Sequence, residues 1–359
     1  MESHTFVAEQ PRRTRWTGIV GLVGFASVFV AAVNWAKWTP YFHKLQGIVR
    51  ARTWPGHDML AKAGAAHSAP SFHAAWTFTV DYANDVWPGF LAALLVAAAL
   101  EALVPRRWLL QALARRTDAR SSLAGGLAAL PSLMCTCCSA PLTVALRRNG
   151  APTSAVLAYW FGNPVLNPAV LAFLALVAPW QWVATRAIAG VVLVFGVSVL
   201  VARLTARDDD GEKPLDLEAL PEYRLQAAPY RFLRAFARLA ATLVPVYAVV
   251  VFGFALFRGW LFPFDGSAAH WGILAVVAAA LLGTLVVLPT GGEIPIVQGL
   301  ALAGVAAGVQ GALLIALPAI SVVSMAMVAR ELSVRVTVAA AAGVAATSVG
   351  AGVLLALLM

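Results

Sequence analysis

The stretch Leu130-Pro131-Ser132-Leu133-Met134-Cys135-Thr136-Cys137-Cys138-Ser139-Ala140-Pro141 decides how this chain is read. All three cysteines of the protein fall within it, between two prolines. Apolar sequence flanks it from Ser122 to Leu146, and Arg147-Arg148-Asn149-Gly150 closes it. The next apolar segment is itself interrupted, by Asn163-Pro164 and Asn167-Pro168. Soft sulfur on irregular backbone in apolar surroundings points to a binding site.

Those surroundings set the class. Of 359 residues, 60% are hydrophobic and 12% charged, and the mean hydropathy is +0.78. Soluble domains average about 45–50% apolar and about 25% charged. The apolar runs are long and rich in Ala, Leu and Val, without the alternation of barrel strands, so the expected fold is an all-α polytopic membrane protein. The formal net charge of +9 lies mainly in loops between apolar runs, which fits an anionic leaflet rather than nucleic acid. Three clustered cysteines make no disulfide framework. The first apolar run follows Arg12, Arg13 and Arg15, as in a secretory signal. It is longer than a signal core and lacks a small-x-small site before Asn34-Trp35-Ala36-Lys37-Trp38, so it is read as a retained helix.

Working outward, helix 1 is expected at about 16–37, with Trp16, Trp35 and Trp38 at the interfaces, and a mixed extracytoplasmic loop at 39–85. Further helices are expected at about 86–104, 153–177, 182–203, 236–257, 306–328 and 336–358, with interrupted stretches at 122–146 and 271–304. The organisation is then 1–85 as N-terminal helix and loop, 86–203 as a first repeat, 204–235 as a charged linker and 236–359 as a second repeat. The repeat is visible directly. Pro141, Gly150 and Pro164 recur as Pro295, Gly304 and Pro318, each at an offset of 154. At that offset Cys137-Cys138-Ser139 falls on Gly291-Gly292-Glu293.

Charge gives the topology. Residues 1–15 carry three Lys or Arg, 105–121 five and 203–235 six, whereas 178–182 carry none and 258–270 one. The positive-inside rule places the first three regions, and the N-terminus, in the cytoplasm. The cysteine stretch must then enter and leave on one side, as a re-entrant hairpin whose legs are too short to span. Three crossings per repeat invert the second copy, giving about seven full spans plus two re-entrant hairpins. The second hairpin has its tip at Pro289–Pro295.

Asn163 lies about ten residues into its helix, about 15 Å deep, near the bilayer centre. Pro141, Pro164, Pro168, Pro295 and Pro318 are read as the structural breaks, freeing carbonyls one turn earlier. Asn163 and Asn167 share a helix face and offer donors and acceptors; at the same offset Asn167 falls on Ser321, and Ser321 and Ser324 are further candidates to hydrogen-bond substrate. Cys135, Cys137 and Cys138 could converge on one thiophilic centre, a trivalent arsenical or a transient soft metal ion, with a helix dipole starting at Pro141 favouring thiolate. Glu293 is the acidic candidate for coupling to protons. Arg186 is read as an arginine snorkelling to the interface. Gly343, Gly350 and Gly352 form a helix-packing face.

Cys135-Thr136-Cys137-Cys138-Ser139-Ala140-Pro141 with Gly150, Asn163-Pro164 and Asn167-Pro168 resembles the bacterial predicted-permease family that includes the ArsP-type organoarsenical efflux permeases. Leu288-Pro289 with Gly292-Glu293-Ile294-Pro295 and Leu317-Pro318-Ala319-Ile320-Ser321 resembles that family's second half, so the likeness covers roughly 86–359. It implies an inner-membrane permease and, in some members, export of trivalent methylated or aromatic arsenicals through cysteine contacts. Cys135 and Cys137 would be the thiol pair, and Cys138 stands where a small residue such as Gly is expected. The partners expected are a small-molecule substrate and the bilayer, without nucleic acid or a resident cofactor, and homo-oligomerisation is left open. Two other readings stand beside export of a thiophilic molecule. One is transport of another sulfur-containing or anionic solute. The other is a membrane thiol–disulfide oxidoreductase using Cys135 and Cys138, which the lack of a second cysteine pair disfavours. No nucleotide-binding loop is present, which argues against direct ATP drive.

Overall fold

In the computed structural model, residues 10–51, 71–206, 225–261 and 272–359 are described. Every regular element among them is helical. Among the described residues six helices, or seven units with one bent pair counted as a single span, have the length and apolarity to cross a bilayer. They are Trp16–Ala51, Phe72–Leu103, Thr153–Val177, Trp180–Thr205, Leu225–Phe257, Val334–Leu358 and a bent pair, Ala307–Ala319 with Val322–Leu332. The chain is an all-α polytopic membrane protein.

Helices α1 (Gln10–Val33) and α2 (Thr39–Ala51) are joined without a break by a π-helical turn, Asn34–Trp38. The next elements are α3 (Phe72–Leu103), α4 (Arg106–Leu113), α5 (Asp118–Ala129) and α6 (Thr136–Arg148). Then come α7 (Thr153–Val165), α8 (Pro168–Val177), and α9 (Trp180–Val191) continued through a π turn into α10 (Ser198–Thr205). The second half runs α11 (Ala228–Leu261), α12 (Ile273–Gly283), α13 (Glu293–Leu302), α14 (Ala307–Ala319), α15 (Val322–Leu332) and α16 (Val334–Leu358).

These elements recur at the offset seen in the sequence. Thr153–Val165 and Ala307–Ala319 coincide to the residue when shifted by 154. So do the chain reversals that precede them. Gly150 and Gly304 take φ of +83° and +78°. Ala151 N–H donates to Leu146 O at 3.0 Å, and Val305 N–H to Leu300 O at 3.0 Å, the six-to-one bond of a helix closed by a left-handed glycine. Each half has three crossings and one pair of short helices, α5–α6 or α12–α13. Ten to thirteen residues reach only about 15–20 Å at 1.5 Å per residue, short of a core about 30 Å thick. An odd number of crossings runs the second copy in the opposite sense.

The interruptions have local causes. Leu133 stands at φ +50° and stops the turn that follows α5, and α6 starts again at Thr136. Pro141, expected at the break, lies inside α6, and Pro295 lies in the first turn of α13. Pro295 falls where an N–H has no intrahelical partner, whereas Pro141, sixth in its helix, forgoes the bond to Cys137 O without stopping the helix. Pro164 and Pro318 each sit one residue before a helix end. Asn167 restarts the first chain by capping α8, its Oδ1 accepting from Ala169 N–H and Val170 N–H. Ser321 and Ser324 form a reciprocal capping box at the start of α15, across a bend of 51°.

The segment expected as a loop, 39–85, is helical over Thr39–Ala51 and again from Phe72. Its hydrophobic residues are spread among polar ones, which hides helix from an apolar-run criterion, and tertiary packing holds it: Tyr82 and Ile48 are fully buried. Residues 52–70 of that segment, 207–224 of the linker and 262–271 of the second long loop lie outside the described residues.

Close helix contacts rest on small residues. A side-chain carbon on Gly125 of α5 would meet Ala155 O of α7 at 2.1 Å. One on Gly352 of α16 would meet Gly308 O of α14 at 2.5 Å, and one on Gly343 would meet Val197 at 2.4 Å. Gly350 faces open space. Gly125→Ala therefore forces a helix pair apart and should destabilise the protein by about 1–3 kcal/mol. Gly253→Ala, which meets nothing within 4 Å, should be neutral or stabilise by up to about 1 kcal/mol. Thermal unfolding of the two variants in detergent checks the contrast, and equal midpoints would contradict the packing.

Candidate functional site

The start of α6 carries the sulfur. Cys135 is its N-cap, without a side-chain capping bond, and Cys137 and Cys138 occupy its first turn. All three thiols are free and buried, and their sulfurs lie within 4.8 Å of one another. Cys135 Sγ donates to Cys138 Sγ at 2.9 Å and lies 3.3 Å from Cys137 Sγ. Cys138, whose participation the sequence left open, is thus part of the cluster. Three sulfurs gather because the left-handed turn at Leu133 and the first helical turn fold Cys135 back over its neighbours.

The second half closes over this cluster. A narrow cleft is lined by Cys135 and Thr136 from the first break, Pro164 and Pro318 from the bent helices, and Thr290 and Glu293 from the second break. Its open space, about 10 Å³, suits about one water molecule. Thr136 Oγ1 donates to Ser324 Oγ at 2.9 Å, tying α6 to α15. The segments that the sequence predicted to meet are therefore together. A larger cavity, about 300 Å³, opens beyond α6 and is lined by Val144, Arg148, Leu243, Met327, Arg330 and Glu331. Arg148 of α6 and Glu331 of α15 pair across it, Nε to Oε1 at 2.8 Å. Arg238 of α11 pairs with Glu101 of α3.

The N-terminal helix reaches the same point, which the sequence did not indicate. The π turn directs Lys37 inward, where it is only 8% exposed. Its Nζ donates to Tyr41 Oη at 3.4 Å and to Thr290 Oγ1 at 3.5 Å, and lies 5.4 Å from the centre of the Tyr41 ring. Trp38, expected at an interface, donates its indole N–H to Pro131 O at 2.9 Å and so holds the first break. Lys37 beside two tryptophans resembles an ordinary interfacial lysine in sequence. Only the uninterrupted continuation into α2 shows that it lies inside.

Aromatic rings form the remaining wall. Tyr82 Oη lies 3.4 Å from Cys137 Sγ. Tyr82 stacks on Phe78 and on Tyr247 of α11, and Phe90 stacks on Tyr247 at 5.0 Å. Gly89 leaves room beside them. A side-chain carbon there would meet Lys37 Nζ at 2.9 Å and Cys138 Sγ at 3.2 Å.

Arg186 is not a snorkelling residue. It is fully buried, and its Nη1 pairs with Glu293 Oε1 at 2.6 Å, Glu293 being 2% exposed. Its Nε donates to Val165 O at 3.1 Å and its Nη2 to Pro164 O at 2.8 Å. These carbonyls end α7 and have no helix to continue into, so one guanidinium answers the first-half break and the second-half carboxylate together. At the 154-residue offset these positions are Ala340 and Ser139, so the pair exists once and breaks the symmetry of the repeats.

The other candidates are mostly engaged by protein. Asn163 Nδ2 donates to Tyr159 O at 2.9 Å, and its Oδ1 accepts from Ser132, linking α7 to the first break. Ser321 donates to Ser324 Oγ, which also accepts from Thr136. Asn167 caps α8 through Oδ1, while its buried Nδ2 has no partner. Among the described residues no further His, Cys, Asp or Glu joins the three cysteines as a potential ligand. Three sulfurs are one ligand short of the four that close a structural zinc site, and thiol ligands suit soft, thiophilic centres.

Inverted repeats whose broken segments meet around a buried polar site define a transporter-type membrane protein. A family model described as a predicted permease of the ArsP type matches residues 71–260. The UPF0718 protein YraQ of Escherichia coli (strain K12) is 36% identical over 305 residues, covering 84% of this chain and 85% of that protein. The chain belongs to this predicted-permease family. No solved structure matches it.

The buried pair gives a direct test of the site's framework. Arg186→Met or Glu293→Leu alone strands a charge in the interior and should cost about 3–5 kcal/mol. The double variant should recover part of that loss in thermal unfolding. Simple additivity of the two losses would show that the groups are not coupled.

Proposed function

We propose that this permease exports a small thiophilic molecule, such as a trivalent organoarsenical, by alternating access around Cys135, Cys137 and Cys138. The observation that supports this most is the gathering of three free, buried thiols between the breaks of the two repeats. Sulfur binds trivalent arsenic and soft metals well, and oxygen-rich solutes poorly. Thiol exchange onto the cargo and off again meets the need for binding that is specific yet reversible. The aromatic wall of Tyr82, Phe90 and Tyr247 supplies apolar contact for a methyl or aryl substituent.

The direction of transport rests on charge. Arg147 and Arg148 at the end of α6, with the basic residues of 105–121, support a cytoplasmic position for the larger cavity in a bacterial inner membrane. The N-terminus is then cytoplasmic. Cargo enters from that cavity, displaces the Arg148–Glu331 contact and reaches the sulfurs. The cleft between the breaks is too small for such a cargo, so the two repeats must rock apart to pass it. Glu293 is the proposed coupling residue. A proton placed on it would release Arg186 and, with it, the hold of α9 on the second hairpin.

A second reading, transport of an anionic or sulfur-containing solute, draws support from Lys37 beside the cluster. Dithiol–disulfide chemistry has less support, because all three cysteines are in the one cluster and none remains to pass electrons on.

Expression in an arsenical-sensitive bacterial host tests the proposal. The double variant Cys135→Ser/Cys137→Ser should lose resistance to trivalent methyl- and phenylarsenicals, with membrane levels unchanged. Full resistance in that variant would remove sulfur from the mechanism. Cys138→Ser alone should weaken resistance by roughly ten-fold in tolerated concentration, the effect of losing one ligand contact of about 1.4 kcal/mol.

A further inference from the structure

Lys37 has an incomplete environment. It carries an ammonium that is 92% removed from solvent by the surrounding protein, its exposure being 8%. Its two hydrogen-bond partners, the hydroxyls of Tyr41 and Thr290, are neutral and distant at 3.4 and 3.5 Å. Among the described residues no carboxylate forms an ion pair with it; the buried Glu293 is taken by Arg186. A buried cation normally has an anion in contact, since the desolvation cost is several kcal/mol otherwise. The local backbone also holds Lys37 in place. The π-helical turn Asn34–Trp38 shifts the register of the helix at this one point, and such turns gather at functional sites.

The surroundings say what an anion bound to Lys37 would be next to. Gly89 of α3 forms a bare surface on which Lys37 Nζ and Cys138 Sγ both rest, at 2.9 and 3.2 Å from where a side-chain carbon would be. Thr290 belongs to the second break and Cys135 shares the cleft with it. The ammonium thus lies close to the sulfur cluster across Gly89, and its partner Thr290 lines the cleft that Cys135 also lines. Three elements contribute: the N-terminal helix, the first break and the second break.

We infer that Lys37, Tyr41 and Thr290 form an anion-binding subsite beside the cysteines, so that the preferred cargo is a thiophilic molecule bearing an acidic group. This rests on the cysteine reading above and goes further, because a cysteine site alone has no preference for charge. The thiophilic centre bonds the sulfurs while a carboxylate or similar anion pairs with Lys37, and Tyr41 and Thr290 donate or accept around it. Lys37 is then a specificity-determining residue.

The test compares two probes that differ in one group: phenylarsine oxide and 4-carboxyphenylarsine oxide. Binding is measured by equilibrium dialysis on the reduced full chain in lipid nanodiscs, with arsenic quantified in the retentate. The wild type should bind the carboxylated probe roughly ten-fold more tightly than the neutral one, the size of one charge-assisted contact. In Lys37→Met that preference should vanish while affinity for phenylarsine oxide stays within about two-fold, and Lys37→Arg should keep most of the preference. A wild type that binds both probes equally would overturn the inference without touching the cysteine reading. So would a Lys37→Met that weakens both probes alike, since the lysine would then serve the thiols or the fold. A wild type that binds neither probe would overturn both readings.

Discussion

Lipid supplies no hydrogen bonds, so every carbonyl or amide released by a broken helix must be answered from within the protein. This protein breaks its backbone in both halves, and Arg186 is the main answer to the first of those breaks. It takes the two terminal carbonyls of α7 and the carboxylate of Glu293 on a single guanidinium. The planar fork of arginine suits this task, since it presents several donors in fixed directions and stays charged. Remove it and three acceptors in two repeats lose their partner at once. The position of the second hairpin against the first repeat therefore depends on one side chain from α9.

Around that framework the two repeats have diverged in chemistry while keeping their geometry. The first break presents sulfur at Cys135, Cys137 and Cys138; the second presents Pro289, Gly291 and Gly292 at the same offset. Glycine there serves the local turn: Gly291 stands at φ +80°, and a side-chain carbon on Gly292 would meet Pro289 O at 3.0 Å. The remaining charge comes from outside the repeats, through Lys37 on the N-terminal helix. Trp38, one residue on, anchors the same helix to the first break at Pro131. The N-terminal unit is thus joined to the site and is more than an anchor in the membrane. Tyr82 and Tyr247, from the two repeat-related helices α3 and α11, stack on each other beside the cluster.

Repeat symmetry was legible from three residues, Pro141, Gly150 and Pro164, and their partners 154 positions on. Gly150 and Gly304 could be read because a positive φ restricts what a position can hold, and that constraint writes itself into sequence. The cysteine cluster could be read because its members are adjacent in the chain. The segment 39–85 was legible only as a loop with an amphipathic piece on the membrane surface, because its apolar residues are spread among polar ones; packing of α2 on α8 buries Ile48. Arg186 was misread for a similar reason. A lone arginine in an apolar segment looks the same whether it reaches lipid headgroups or a carboxylate 107 residues away.

Composition and the spacing of prolines, glycines and cysteines determined by themselves that this chain is a helical membrane protein with two broken, repeated halves and sulfur at one break. Those properties follow from backbone rules and local chemistry, which act over a few residues. The tertiary structure alone decided which charges accompany the sulfur: Glu293 neutralised by Arg186, and Lys37 brought in by a π turn. Burial makes a charge depend on its nearest partner, and that partner is chosen by packing across the whole molecule.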